Sequence, residues 1–482
     1  MSRKILYVTV GAALLAAVFL ISGYTHPKKL RVQQHLEISQ GVEDTSLSID
    51  ADSFSSHLPV VNIETNGQTI PGKPELNQRV SEIENTYISA SMQIMDQKEE
   101  LNTLKTEAAI DSKVQIRVRG NSSRRFDKVG YLFKFTDKDG IEQEEPVLGM
   151  EKNSTWVLHG PFLDKTLMRN YMWYNLSGQI MEWAPDVRYC ELFLNGTYQG
   201  VYVMTEQISV APGRINATKY DGRAPVSSYV LCADRASIND VEYLDNFSWY
   251  ARRSSSRMEI KYPGSKKLTP ELTEEISRDF SEFEKTLYSF DYDSKRFGYQ
   301  NFIDVQNFVD YFIINEITQN TDAGIYSTYF YKDVAGKIKM CVWDFNNCCD
   351  NFMEEQQPMA GFYMQGRPWF FMLCRDEEFV ELIISRYREL RKGILSDDAV
   401  KAYIQDVQNY LGPAIDRNFE VWGYSFDADE DLMDEEFRKI GSYEAAVEQY
   451  QGRLISRMGW MDKHIEALRS YSHESRNKKF NH

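Results

Sequence analysis

The chain has 482 residues, 42% hydrophobic and 13% aromatic, which is enough to bury one large core or two smaller ones. Its 71 acidic residues against 55 basic ones give a formal net charge of −16. So acidic a chain argues against nucleic acid as its main partner, because phosphate backbones are held by local positive charge.

Residues 5–24 carry no charge, with Arg3 and Lys4 before them and His26, Lys28 and Lys29 after. An apolar run of about 20 residues spans a bilayer as a helix. A cleaved signal peptide is the rival reading, but its apolar region is shorter and no small-x-small cleavage site follows here. The expectation is a single-pass signal anchor over residues 1–24, with the remaining chain exported. Residues 25–56 are polar and aperiodic and read as a tether.

A strand-rich region runs to about residue 264. "LPVVNIETNG" alternates and turns at Asn66 and Gly67, a hairpin signal. "KVQIRVRG" alternates strictly, and "GYLFKFTDKDG" is a strand ending in a turn at Asp139 and Gly140. "RYCELFLNGTYQGVYVMTEQI" is a hairpin whose Asn195 and Gly196 suit the positive φ values of a two-residue turn. A helix is expected between these, over 165–181. From residue 265 the pattern becomes helical. Thr269 is placed as an N-cap with Pro270 at the first helical position. "NFIDVQNFVDYFIINEIT" puts Phe302, Val305, Phe308, Val309, Phe312, Ile313 and Ile317 on one face. A strand pair turning at 333–336 follows, then helices over 377–393, 396–411 and 442–470. The tail from 471 to 482 reads as frayed.

Two constellations carry chemistry. The hairpin that turns at 333–336 brings Asp322 and Asp344 to its open end, within a few residues of register. Two carboxylates held together repel unless a divalent cation lies between them or one is protonated; the alternative is that one caps the preceding helix, over 302–318, and the other caps a turn. The second constellation is basic. Lys113, Arg117, Arg119, Arg124, Arg125, Lys128 and Lys134 fall within 22 residues that hold one acid, Asp127. "VRGNSSRRF" offers turn residues whose N–H groups, with the arginines, suit an anion. Lys134 lies inside an apolar strand, either exposed at an edge or held inward by a carboxylate, for which Glu206 is the candidate. The seven histidines form no HxxxH pair, and "VWDFNNCCDN" lacks the CxxC spacing of structural zinc. The six cysteines suit either disulfides or buried thiols.

Taken in order, "VRGNSS", "YLFKF", "WVLHGPFLDKTLMRNYMWYNLS", "ELFLNGTYQGVYVMTEQI", "NTDAGIYSTYFYKD" and "VWDFNN" resemble the spore coat protein H (CotH) kinase family. The likeness runs from about residue 58 to 468. It implies an α+β, atypical protein-kinase-like fold over 57–470, with a β-rich part (57–264) and a helical part (265–470). It implies ATP and Mg²⁺ (or Mn²⁺) as cofactors and a protein as acceptor. By this resemblance Lys134 would hold the nucleotide phosphates with Glu206 as its ion-pair partner. Asp322 would be the base or orienting residue, and Asp344 the metal-binding one. Arg119, Arg169 and Asn170 belong to family motifs and are assigned to nucleotide binding.

Two positions depart from pattern. Ordinary kinases place a metal-binding Asn five residues after the catalytic Asp, where this chain has Ser327. The family commonly has a second acid after Trp-Asp-aromatic, where this chain has Asn346. Ser327 and Asn346 are therefore the candidate additional metal ligands. The same departures support an alternative: a kinase-like surface binding or assembly protein of weakened catalysis. A metal-dependent phosphoester hydrolase is a third reading.

Overall fold

A computed structural model describes residues 31–37, 42–75, 78–236, 242–351, 357–428 and 440–477. Seven strands close into a barrel in the order β1-β2-β3-β4-β5-β7-β6. They are β1 (Val60–Glu64), β2 (Ile88–Met95), β3 (Ile110–Arg119), β4 (Gly130–Thr136), β5 (Thr155–His159), β6 (Val187–Leu194) and β7 (Thr197–Glu206). Alternation fills the interior. Ile116 and Val118, Tyr131, Phe133 and Phe135, Trp156 and Leu158, and Tyr202 and Met204 pack together inside it. The intervening residues of each strand face outward. β6 and β7 turn at Asn195 (φ 49°) and Gly196 (φ 72°), as the Asn-Gly pair predicts.

The barrel closes through β1, whose Val60 pairs in parallel with Glu191 of β6. The hairpin expected after β1 is not a tight one. Asn66 and Gly67 do turn at positive φ, but β2 begins only at Ile88.

The second sheet has the order β11-β10-β8-β9, from β8 (Tyr229–Asp234), β9 (Arg257–Tyr262), β10 (Thr328–Lys332) and β11 (Lys339–Cys341). The long helices are α1 (Arg169–Ile180), α2 (Pro270–Leu287), α3 (Val305–Thr318), α4 (Glu377–Arg391), α5 (Asp397–Leu411), α6 (Pro413–Trp422) and α7 (Tyr443–His464). Thr269 caps α2 by accepting the Leu272 N–H, with Pro270 opening the helix, as expected. One large apolar core joins α1, α2, α3, α4 and α7 to the second sheet. Phe330 of β10 meets Phe280 of α2 and Trp369 edge-on, at 5.2 and 4.8 Å between ring centres.

Buried ion pairs tie distant segments. Arg417 of α6 bonds Glu191 of β6 (2.7 Å) and Asp44 (3.0 Å), which holds the 42–56 segment against the barrel. Arg457 of α7 pairs with Glu316 of α3, whose carboxylate also accepts the Tyr363 and Met364 N–H groups. All six cysteines are free and buried.

Two expectations are corrected. A closed seven-stranded barrel, followed by a separate four-stranded sheet among helices, stands where a kinase-like fold behind a transmembrane helix was expected. Hairpins are readable in local alternation, but barrel closure joins β1 to β6 across more than a hundred residues and leaves no local pattern. The expected membrane anchoring and exported location are corrected as well. Among the described residues no helix is long and apolar enough to cross a membrane. The segment read as the anchor, residues 1–24, lies outside the described residues.

Candidate active site

A cleft of about 1100 Å³ lies between the outer wall of the barrel and the second sheet. Its barrel side carries Arg117, Arg119, Leu132, His159 and the loop from Gly120 to Phe126. Its other side carries the end of β8 (Asp234, Arg235), Glu259 and Lys261 of β9, the loop with Asp322, and Trp343, Asp344, Asn346 and Asn347.

Asp322 sits in the loop after α3. The helix stops at Gln319, whose left-handed φ of 47° ends the hydrogen-bond ladder. The Asp322 carbonyl then accepts from the Ile325 and Tyr326 N–H groups (3.0 and 2.8 Å), forming a turn that fixes its side chain at the cleft. There its Oδ1 accepts from Arg235 (3.3 Å), whose guanidinium lies 3.8 Å over the Tyr326 ring.

Asp344 follows β11 at φ 56°, a left-handed conformation that needs support in a residue with a side chain. α1 supplies it. The Asp344 N–H donates to the Tyr174 hydroxyl (3.0 Å), and the Phe345 N–H to the Asn170 side-chain carbonyl (2.8 Å). The other end of that amide donates to Asn346 Oδ1 (3.0 Å). Arg169, fully buried, pairs with Asp164 (2.6 Å) and donates to the Cys348 carbonyl (3.1 Å). Asp164 in turn accepts from the backbone N–H groups of Thr166 and Arg169, so the "DKTLMRN" segment is folded around one carboxylate. Arg169 and Asn170, assigned to the nucleotide from the sequence, thus stand behind the Asp344 loop and outside the cleft lining.

The hairpin pairing does bring Asp322 and Asp344 to one cleft. β10 and β11 pair Phe330 with Met340, and both carboxylates lie beyond the open end. Asp344 feels the charge of Asp322. The Asp344 carboxyl is pushed up to about 6 by burial, with Asp322 and Asp234 adding to the rise and Arg119 opposing it. Ser327 and Asn346 also line the cleft.

Lys134 does not. It bonds Glu142 (2.7 Å) on the barrel's outer surface with a third of its side chain exposed. Glu206 accepts the Asp186 N–H (2.9 Å). Strand parity keeps Lys134 and Glu206 apart. Phe133 pairs with Trp156 and Trp156 with Glu206, on the inward-facing set of positions, while Lys134 takes an outward one. The cations that do reach the cleft include Arg119, its guanidinium 5.4 Å over the Trp343 ring next to Asp344, and Lys261, paired with Glu259 (2.6 Å).

Sequence reasoning missed Asp234, Arg235, Lys261 and His159. "YVLCAD" carried a usable signal, since it ends an apolar strand on a carboxylate as "CVWD" does. His159 likewise ends a strand.

The family model described as CotH kinase protein matches residues 116–461. The chain belongs to the CotH kinase family. No curated protein matches it. Membership in the CotH family points to a kinase-like function, and the matched span holds every cleft residue discussed above from Arg117 onward. Kinases of this kind use ATP with a divalent metal, and the cleft's donors are of the kind such a metal takes. They are hard oxygens: carboxylates of Asp322, Asp344 and Asp234 and the side-chain oxygens of Ser327 and Asn346. Among the described residues no three His, Cys, Asp or Glu side chains gather closely enough to cage an ion. Mg²⁺ is commonly bound through one or two carboxylates plus phosphate and water oxygens.

Proposed function

We propose that this chain is a metal-dependent protein kinase that moves the γ-phosphate of ATP to a hydroxyl of a protein acceptor. One observation carries the reading: Asp322 and Asp344 converge in a cleft, lined also by Arg119, that is large enough for a nucleotide and an acceptor side chain. Asp344 would hold Mg²⁺ or Mn²⁺ with help from Asn346 or Ser327, and the bound ion would offset charge on the phosphate oxygens. Asp322 orients the acceptor hydroxyl and takes its proton as the oxygen bonds to phosphorus and ADP leaves. Arg119 presents positive charge from the barrel wall. Arg169 and Asn170 position the Asp344 loop without touching the reactants.

The test is phosphate incorporation by the purified protein with labelled ATP, across Mg²⁺ and Mn²⁺. Asp322→Ala is expected to retain nucleotide binding and stop transfer; Asp344→Ala is expected to lose metal-dependent binding. Absence of both binding and transfer with every metal overturns the proposal. Binding without transfer favours the weakened, assembly-type relative suggested by Asn346, whose oxygen is already engaged by Asn170. ADP release without any phosphorylated protein favours a hydrolase.

A further inference from the structure

The loop that carries Asp322 is braced from behind by residues 359–367. That stretch is itself anchored. Glu316, buried near the end of α3, accepts the Tyr363 and Met364 N–H groups (2.7 and 2.6 Å). Its ion-pair partner, Arg457 of α7, donates to the Met359 and Gly361 carbonyls (2.6 and 2.9 Å). One carboxylate and one guanidinium thus satisfy backbone groups that an irregular stretch would otherwise leave unpaired.

From that anchor two side chains converge on one atom. The Tyr363 hydroxyl and the Arg367 guanidinium both donate to the Thr321 carbonyl oxygen, at 2.9 and 2.8 Å. The guanidinium also lies 4.2 Å over the Tyr363 ring, so each donor holds the other in place. The Thr321 carbonyl shares a rigid peptide plane with the Asp322 nitrogen and Cα, so holding its oxygen fixes the point from which the Asp322 side chain projects. On the far side the Asp322 carbonyl accepts from the Ile325 and Tyr326 N–H groups. Both peptide planes that flank Asp322 are therefore held.

Gly324 lets the arginine close in. It lies at φ 81°, and a Cβ there would meet the Cβ and Cγ of Arg367 at 2.9 Å. The Asp322 loop thus packs directly on the arginine's stem. Arg367 stands outside the cleft lining, so it reaches the reaction only through the peptide it holds.

We propose that Arg367 and Tyr363 are positioning residues for Asp322, setting the direction in which its carboxylate meets the acceptor hydroxyl. The effect on transfer rests on the kinase reading; the brace itself does not.

The experiment compares the wild-type full chain with Tyr363→Phe, Arg367→Met, Arg367→Lys and the double variant Tyr363→Phe, Arg367→Met. Phosphate transfer from labelled ATP to a serine- and threonine-containing peptide library is measured beside amide hydrogen exchange. Loss of one donor should lower kcat about threefold to tenfold, and loss of both about thirtyfold or more. Arg367→Lys, which keeps a charged donor of similar reach, should stay within about threefold of wild type. Nucleotide Kd, by calorimetry with Mg²⁺, should change less than about twofold in Arg367→Met. Exchange at the Ile325 and Tyr326 amides should quicken by about tenfold or more in the double variant, with α3 unchanged. If the double variant does not fold, as judged by its melting curve, the single variants carry the test. Wild-type kcat in the folded variants would overturn the positioning role. So would a loss of nucleotide affinity equal to the loss of kcat, or Arg367→Lys as impaired as Arg367→Met. No transfer by the wild type with any metal would count against the kinase reading; exchange at Ile325 and Tyr326 then decides the brace, and unchanged rates would overturn it.

Discussion

The side-chain amide of Asn320 donates a 3.0 Å hydrogen bond to the backbone carbonyl of Asp344. Asn320 lies two residues before Asp322, so one bond links the loops that carry the two carboxylates. Asn170 clamps the Asp344 loop from the opposite side through Phe345 and Asn346. Separation of the carboxylates is set by these two amides, and Asn320→Ala and Asn170→Ala should each misplace one carboxylate against the other. Each is expected to lower kcat by tenfold or more, since small errors in geometry cost heavily in phosphoryl transfer. Nucleotide Kd should change less than threefold, because neither side chain lines the cleft. Loss of two bonds at buried Asn170 should also cost about 1–3 kcal/mol of stability, read by denaturant melts. A fall in nucleotide affinity that matches the fall in kcat would refute the positioning role.

Asp344 makes stability depend on pH in a defined window. Its folded carboxyl titrates at about 6 against an ordinary 3.8. Between those values the folded protein keeps a proton that the unfolded chain has released, so stability falls as pH rises from about 4 to about 6. The full shift corresponds to roughly 3 kcal/mol, reduced by the partial exposure of the side chain to about 1–2 kcal/mol. In chelator, Asp344→Asn should therefore be more stable than wild type at pH 7 by about that amount. The difference should vanish near pH 4. Urea melts at the two pH values measure it, and an equal difference at both would contradict the assignment.

Lys134 and Arg119 separate what alternation reveals from what it conceals. Lys134→Ala should leave nucleotide Kd within twofold and stability within about 0.5 kcal/mol, as expected for an ion pair on the surface. Arg119→Ala should weaken ATP at least tenfold, because it removes a cation from the cleft beside Asp344. Binding isotherms for the two variants decide between them, and the reverse ranking would return the phosphate role to Lys134.

The reason for that reversal lies in the strands. "KVQIRVRG" and "YLFKF" disclose two alternating strands, and the Asn195 and Gly196 turn discloses the hairpin that holds Glu206. Which set of alternate residues faces inward depends on closure of the barrel through β1 and β6, a parallel pairing with no local signature. Asp322 and Asp344 were legible because one short hairpin connects them. Asp234 and His159 reach the same cleft from strands distant in sequence, so no spacing rule joins them to the pair. Arg169 and Asn170 were recognisable as a motif, yet only the fold places them behind the loop.

Asn346 offers a gain-of-function test. It stands where the family commonly has an acid, it lines the cleft, and its side-chain oxygen accepts from Asn170. An aspartate there can accept the same hydrogen bond from Asn170, so Asn346→Asp should fold as wild type. It adds a charged oxygen beside Asp344, and a second carboxylate favours Mg²⁺ over a neutral amide oxygen. Metal affinity in the presence of nucleotide should rise several-fold, followed by Mn²⁺ paramagnetic resonance with Mg²⁺ as competitor. In the absence of metal the variant should be less stable than wild type at pH 7, because a further carboxylate joins a cluster that already raises Asp344. A variant with unchanged metal affinity and unchanged metal-free stability would mean that position 346 lies outside the field of the site.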